Sequence, residues 1–324
     1  MVGGVLGAAL IFEFVNGFHD TGNAIATSLA TRALSPRGAL FLAGFGNFCG
    51  AFLSTRVAET VGKGILREEY VFLPIIFAGL LGALAWNLIT WYLALPTSSS
   101  HALIGGLAGA AFAAFGLPAL NWSGLAKIFC FLLLSPVLGL AGGILFFSCL
   151  RFCLPRSGDY ARVFRRLQLI SAFLVALTHG SNDAQKVMGI ITMTLFGIGL
   201  LPSFEVPVWV MLISALTLAL GTAAGGWRII ATLGTRLTKL FPEHGFAAET
   251  AAALVIYAAT LSGAPVSTTH VVAAAIIGVG ASQGRKNVAW NLAREIGVAW
   301  LLTIPLSGLI GAGFYFLLVL GRWV

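Results

Sequence analysis

Pro265-Val266-Ser267-Thr268-Thr269-His270 sets a row of hydroxyls between apolar segments, and Pro96-Thr97-Ser98-Ser99-Ser100-His101 repeats it in the first half. Each copy lies downstream of a second paired motif, Gly17-Phe18-His19-Asp20-Thr21-Gly22-Asn23 for the first and Gly180-Ser181-Asn182-Asp183-Ala184-Gln185-Lys186 for the second. Pro96 follows Asp20 by 76 residues and Pro265 follows Asp183 by 82. Two polar motifs in the same order at nearly the same spacing make this a duplicated chain.

The 324 residues are 58% hydrophobic and 9% charged, with a mean hydropathy of +0.95. Soluble domains carry about 25% charged residues, so this chain lacks the means to cover a water-facing surface. The composition predicts an all-α polytopic membrane protein, its length allowing about ten segments. The net charge of +8 does not point to nucleic acid, because no basic patch with interleaved aromatics is present. Basic residues that set orientation from the cytoplasmic side account for it. Cys49, Cys130, Cys149 and Cys153 read as small apolar residues, since no second pair or nearby His completes a zinc site. The N-terminal apolar run passes directly into Asp20 without a basic leader, so it is expected to stay in the membrane.

Along residues 3–30, Glu13, Asn16, Asp20 and Asn23 share one helical face, which must look into a cavity or an interface. Apolar runs at 38–56, 73–94, 124–150, 207–226, 246–262 and 288–320 predict spans, with 167–200 carrying the second Asp motif. Ala102–Phe115 and 271–282 are too short to cross, and 57–70 and 227–245 read as loops. Residues 1–150 then form one repeat and 167–324 the other. Between them, 151–166 holds Arg151, Arg156, Arg162, Arg165 and Arg166 against one Asp, a basic cytoplasmic linker.

Loop charges relate the halves. Arg32 and Arg37 follow the first motif helix where the second half has only Glu205; Arg228, Arg236 and Lys239 stand where the first half is balanced; Arg285 and Lys286 stand where 116–123 is uncharged. Three successive loops change character, which orients two inverted-topology repeats. Residues 73–115 and 246–284 must then enter and return from opposite sides, each a broken or re-entrant helix pair with its Ser/Thr-rich turn at the tip.

Behind Pro96 and Pro265, the hydroxyls Thr97, Ser98, Ser99, Ser100, Ser267, Thr268 and Thr269 would sit at helix N-termini, where free N–H groups bind anions. Two such ends meeting would enclose a small tetrahedral oxyanion. Cations on Asp20, Asn23, Asn182 and Asp183 would offset its charge against the two carboxylates. A lone hydroxyl cluster could equally pack helices together; its recurrence with the Asp motif favours binding. His19, inside the motif, and Glu249, alone among apolar residues, are coupling candidates, as is Lys186, the positive partner within these segments. His101 and His270 read as structural.

At Asn16–Ala24, His179–Lys186, Pro96–His101 and Pro265–His270 the chain resembles the inorganic phosphate transporter (PiT) family, over essentially its whole length. The resemblance implies a cation-coupled phosphate symporter of inverted repeats, a homodimer, with phosphate on the hydroxyl turns and Asp motifs and cations on Asp20, Asn23, Asn182 and Asp183. Gly-Phe-His-Asp, with Gln185-Lys186, is similar to a bacterial low-affinity, proton-linked branch that takes phosphate with divalent metal. It implies H+ or Na+ as coupling ion, no resident cofactor, and a prokaryotic plasma membrane. A sulfate symporter of the same fold and a passive anion channel are the alternatives. An enzyme is not expected, because no Gly-x-Ser-x-Gly or His-Glu-x-x-His motif occurs.

Overall fold

The computed structural model describes residues 1–155 and 160–323. Among these, twelve α-helices and no strand occur: α1 (Val2–Ala30), α2 (Pro36–Gly50), α3 (Arg56–Gly64), α4 (Leu73–Tyr92), α5 (Ser99–Phe115), α6 (Trp122–Cys153), α7 (Ala161–Gly197), α8 (Val208–Ala224), α9 (Trp227–Ala231), α10 (Pro242–Leu261), α11 (Thr268–Gln283) and α12 (Trp290–Leu320). Helices leave no backbone group facing lipid unpaired, which is why an apolar chain adopts them.

α1–α6 and α7–α12 follow one plan. Isolated bridges join Leu66 to Leu120 in the first half and Thr238 to Val288 in the second. Ala94 and Gly263, just past the ends of α4 and α10, have φ of 57° and 69°. Arg56, opening α3, donates to the Leu261 carbonyl at the end of α10, and Arg228, in α9, donates to the Tyr92 carbonyl at the end of α4, both at 2.6 Å. Each half thus supplies a cation to the negative C-terminal end of a helix in the other.

The first helices of the halves, α1 and α7, run antiparallel. Thr31, just past the end of α1, donates to Gln168 near the start of α7 at 2.6 Å. Further along, ligand atoms of Asp20, His179 and Asp183 lie within 4.8 Å of one another. Equivalent helices pointing in opposite directions mean that the two copies are inverted, as the loop charges predict.

α4 lies parallel to α1, because a Cβ on Gly4 would touch Phe77 and Thr90 meets His19. The chain then turns, and Thr97 donates back to Thr90 at 2.9 Å. α5 retraces α4, with Leu107 against Gly79. The hairpin enters beside the start of α1 and turns level with Asp20. α10 and α11 do the same from the other side: Glu249 of α10 reaches Gln168 and Thr260 reaches Asn182. Each returning helix packs on the last helix of the other half, α5 on α12 and α11 on α6.

The polar level separates two apolar cores. Val5–Phe12 of α1 and Ala184–Leu195 of α7 belong to one, Ala24–Ala26 and Val175–Ala176 to the other. Leu133, Val137 and Leu145 of α6, and Leu301, Leu309 and Leu317 of α12, are exposed, an outer surface suited to lipid.

Several boundaries differ from the sequence reading. Among the described residues, five helices are long and apolar enough to cross a membrane, six if α8 and the segment bent 62° from it count as one, not ten. Residues 57–70 contain α3, whose Glu59–Lys63 pair at 2.7 Å is an i,i+4 contact, and 227–245 contain α9 and a following π turn. The linker expected over 151–166 is helical at both ends, since α6 continues to Cys153 and α7 starts at Ala161. Residues 156–159, with Arg156, lie outside the described residues. Pro96 and Pro265 precede the helix caps rather than occupying first turns.

Candidate functional site

Both hydroxyl turns are built alike. Ser98 is the N-cap of α5 and accepts from the His101 N–H, while Ser267 caps α11 and accepts from the His270 N–H, each at 3.2 Å. The cap leaves the N–H groups of the two following residues as the free donors of each helix end. The two ends meet: Ser100 Oγ donates to the Val266 carbonyl at 3.3 Å, and the His101 and His270 rings are 4.6 Å apart. His101 bonds Ser98 at 2.7 Å and His270 stacks on Trp300 at 3.9 Å.

The Asp motifs face these ends. Asp20 accepts from Thr269 of the opposite half at 3.1 Å and lies 3.5 Å from Ser99 Oγ. Asn23 donates to Thr269 at 3.0 Å. Asp183 accepts from Thr268 at 3.2 Å and from Lys186 Nζ at 2.5 Å. Asp20, Asp183 and Thr269 are all at most 2% exposed, so the site is closed to solvent in this conformation. The glycines of the two motifs let neighbouring helices pack closely on α1 and α7: a Cβ on Gly17 would overlap the Leu218 carbonyl of α8, and one on Gly180 the Asn47 carbonyl of α2.

Predicted residues divide by what they touch. Asp20, Asn23, Asp183, Lys186, Ser99, Thr268 and Thr269 come together across the two halves. Thr97 instead bonds Thr90, and Ser98 and Ser267 spend their oxygens on the caps. Asn182 holds its own turn, its oxygen accepting from the Val266 N–H at 3.3 Å and its NH2 donating to Thr260 and the Ala264 carbonyl. His19 does the matching work in the first half, bonding Asp20 at 2.6 Å and Thr90 at 3.1 Å. Glu249 sits two turns away along α1, where Thr27, Ser28, Gln168 and Ser171 all donate to it.

His179, Thr90 and Thr260 were missed as site residues. His179 Nε2 is 3.3 Å from Asp183, and its other nitrogen is bonded to Asn47. Its position four residues before Asp183, one helical turn, was the available signal. Asp20, His179 and Asp183 together offer oxygen and nitrogen ligands for a cation. The Oδ1 of Asn23 has no protein partner although the residue is 2% exposed. An orphaned buried acceptor beside a carboxylate fits a hard cation.

Comparison with known proteins bears on the family and the fold. Two stretches, residues 16–160 and 155–311, match the Phosphate transporter family, one on each half. A Bacillus subtilis protein named "Probable low-affinity inorganic phosphate transporter" is 46% identical over 96% of this chain and 95% of its own length. A Rhizobium meliloti protein of the same name is 47% identical over 97% and 95%, and one from Mycobacterium tuberculosis is 45% identical over 96% and 76%. A solved structure described as "The sodium-dependent phosphate transporter" shares the fold, with a TM-score of 0.87, 24% identity, and coverage of 98% of this chain and 99% of that one. These relatives are transporters and not enzymes, and the chain belongs to the Phosphate transporter family.

Proposed function

We propose that this protein imports inorganic phosphate across a prokaryotic plasma membrane by symport with cations, through alternating access. One observation carries the reading: Asp20 and Asp183, from opposite halves, converge with the free ends of α5 and α11 in a single buried place. Hydroxyls and helix N-termini suit an oxyanion. Two carboxylates beside it do not, unless positive charge enters as well, because uncompensated buried charge costs several kcal/mol. Lys186 supplies one positive charge against two carboxylates and the anion. The remainder requires ions that travel with the phosphate, H+ or Na+, or a divalent metal carried with it on Asp20, His179 and Asp183. Inverted repeats support alternating access, since exchanging the conformations of the halves turns an outward-facing state into an inward-facing one. The functional unit is expected to be a homodimer.

Phosphate uptake into proteoliposomes, with sodium and pH gradients imposed separately, tests the reading. Uphill accumulation driven by a cation gradient is expected, which a passive channel cannot produce. Sulfate in equal concentration should compete weakly, and strong competition would make sulfate the substrate. Asp20→Asn and Asp183→Asn should each lose uptake by at least about 100-fold, from the loss of cation ligands at roughly 3 kcal/mol or more each, while eluting as the folded protein does. Wild-type uptake in either variant would refute the proposal.

A further inference from the structure

The two halves are not equal at the position three residues after each Asp. In the first half it is Asn23; in the second it is Lys186. Asn23 leaves an acceptor oxygen unpaired in a buried place next to Asp20. Lys186 is held by two oxygens: its Nζ lies 2.5 Å from Asp183 Oδ1 and 3.1 Å from the Val266 carbonyl, and the residue is 4% exposed. A carboxylate oxygen and a backbone carbonyl are the donors that a hard monovalent cation would take. The ammonium therefore stands where such an ion would be held.

We propose that Lys186 is a tethered cation that replaces one of the two free cations a symmetric pair of Asp sites would bind. This rests on the transport reading above and specifies its ion count. The ammonium stays with the protein throughout the cycle, so it neutralises Asp183 without adding a charge to what crosses the membrane. Only the Asp20–Asn23 side then takes a free ion of this kind. Fewer dissolved ions need to bind per phosphate, and the driving force available for accumulation is smaller by the same count.

The test is Lys186→Asn, which gives both halves the same side chain, compared with the wild type and with Lys186→Arg in proteoliposomes. At sodium concentrations that limit wild-type uptake, Lys186→Asn should take up phosphate at least about 100-fold more slowly than wild type, as the buried Asp183 loses its partner. Added sodium should restore uptake with a steeper concentration dependence than wild type shows. Accumulation at imposed membrane potentials should reveal one additional charge per phosphate. Lys186→Arg, which keeps the charge, should keep the wild-type cation dependence. If Lys186→Asn is silent under all conditions, equilibrium binding of radiolabelled sodium to the purified variant decides: one more ion bound than by wild type supports the proposal, and no additional ion overturns it. Unchanged cation dependence and charge overturn it too. So does a phosphate KM raised equally at every sodium concentration, which would make Lys186 a direct ligand of the anion. Failure of wild-type protein to transport phosphate would strike the transport reading instead, and the sodium-binding comparison would still be readable.

Discussion

Thr269 ties the second half's hydroxyl turn to the first half's Asp motif, donating to Asp20 while accepting from Asn23. Its hydroxyl fixes the distance between the tip of the α10–α11 hairpin and the α1 motif. Thr269→Val keeps the shape and removes both bonds. A hydrogen bond to a charged group contributes about 1.5–3 kcal/mol, so the phosphate KM should rise roughly 10- to 100-fold, with correctly folded protein in the membrane. A KM within twofold of wild type would mean that the hairpin is held by something else. At this scale the sequence showed much, because the duplicated motifs expose Asp20, Asp183 and the hydroxyls without any geometry. It did not show which polar groups are spent internally. Asn182 and Asn23 look interchangeable as letters, yet Asn182 has both amide atoms bonded to the α10–α11 hairpin of its own half, whereas the Oδ1 of Asn23 has no protein partner. That difference is a matter of angles between helices, which no spacing encodes.

Among helices, Glu249 has a part that its isolation in the sequence suggested only vaguely. Its carboxylate, on α10, accepts from Thr27 and Ser28 of α1 and from Gln168 and Ser171 of α7. Three helices are tied at one point, at the entrance of the second re-entrant hairpin. Glu249→Ala would leave four buried donors without their acceptor, at about 1–3 kcal/mol for each that finds no other. It should lower the thermal unfolding midpoint in detergent clearly below wild type. Glu249→Gln keeps an acceptor and should fold and retain uptake. Loss of uptake by a stable Glu249→Gln would instead assign the carboxylate to ion coupling. The first hairpin has no such knot, since Leu80 stands at the equivalent place. The short helices α3 and α9 escaped the sequence reading for a related reason. Their charge pattern resembles a solvated loop until Glu59 and Lys63 are recognised as an i,i+4 pair, and their role, presenting Arg56 and Arg228 to helix ends in the opposite half, depends on contacts with distant chain.

At the level of the molecule, each re-entrant helix is packed against the last helix of the opposite half, so neither half can move as an isolated body. Inversion was legible because membrane orientation writes itself into loop charge; the interlocking was not, because the contacting faces of α5, α11, α6 and α12 carry mostly glycine and aliphatic residues that look the same towards lipid as towards protein. The interlock has a consequence for access. The site is closed on both sides here, with Ser99 at 3% and Thr268 at 1% exposure, and these two are equivalent residues on hairpins that enter from opposite sides. Opening one side must loosen one hairpin together with the other half's last helix, while the second stays shut. With Cys49, Cys130, Cys149 and Cys153 replaced by alanine, Ser99→Cys and Thr268→Cys report this directly. A membrane-impermeant thiol reagent added outside should modify both positions in the outward-open state, and phosphate with the coupling cation should slow both reactions by favouring the closed form. Reagent trapped inside the vesicle should reach the same positions in the inward-open state. Simultaneous access from both faces at unchanged rates, insensitive to phosphate and cation, would be the behaviour of an open pore, and would remove alternating access from the account while leaving the inverted fold intact.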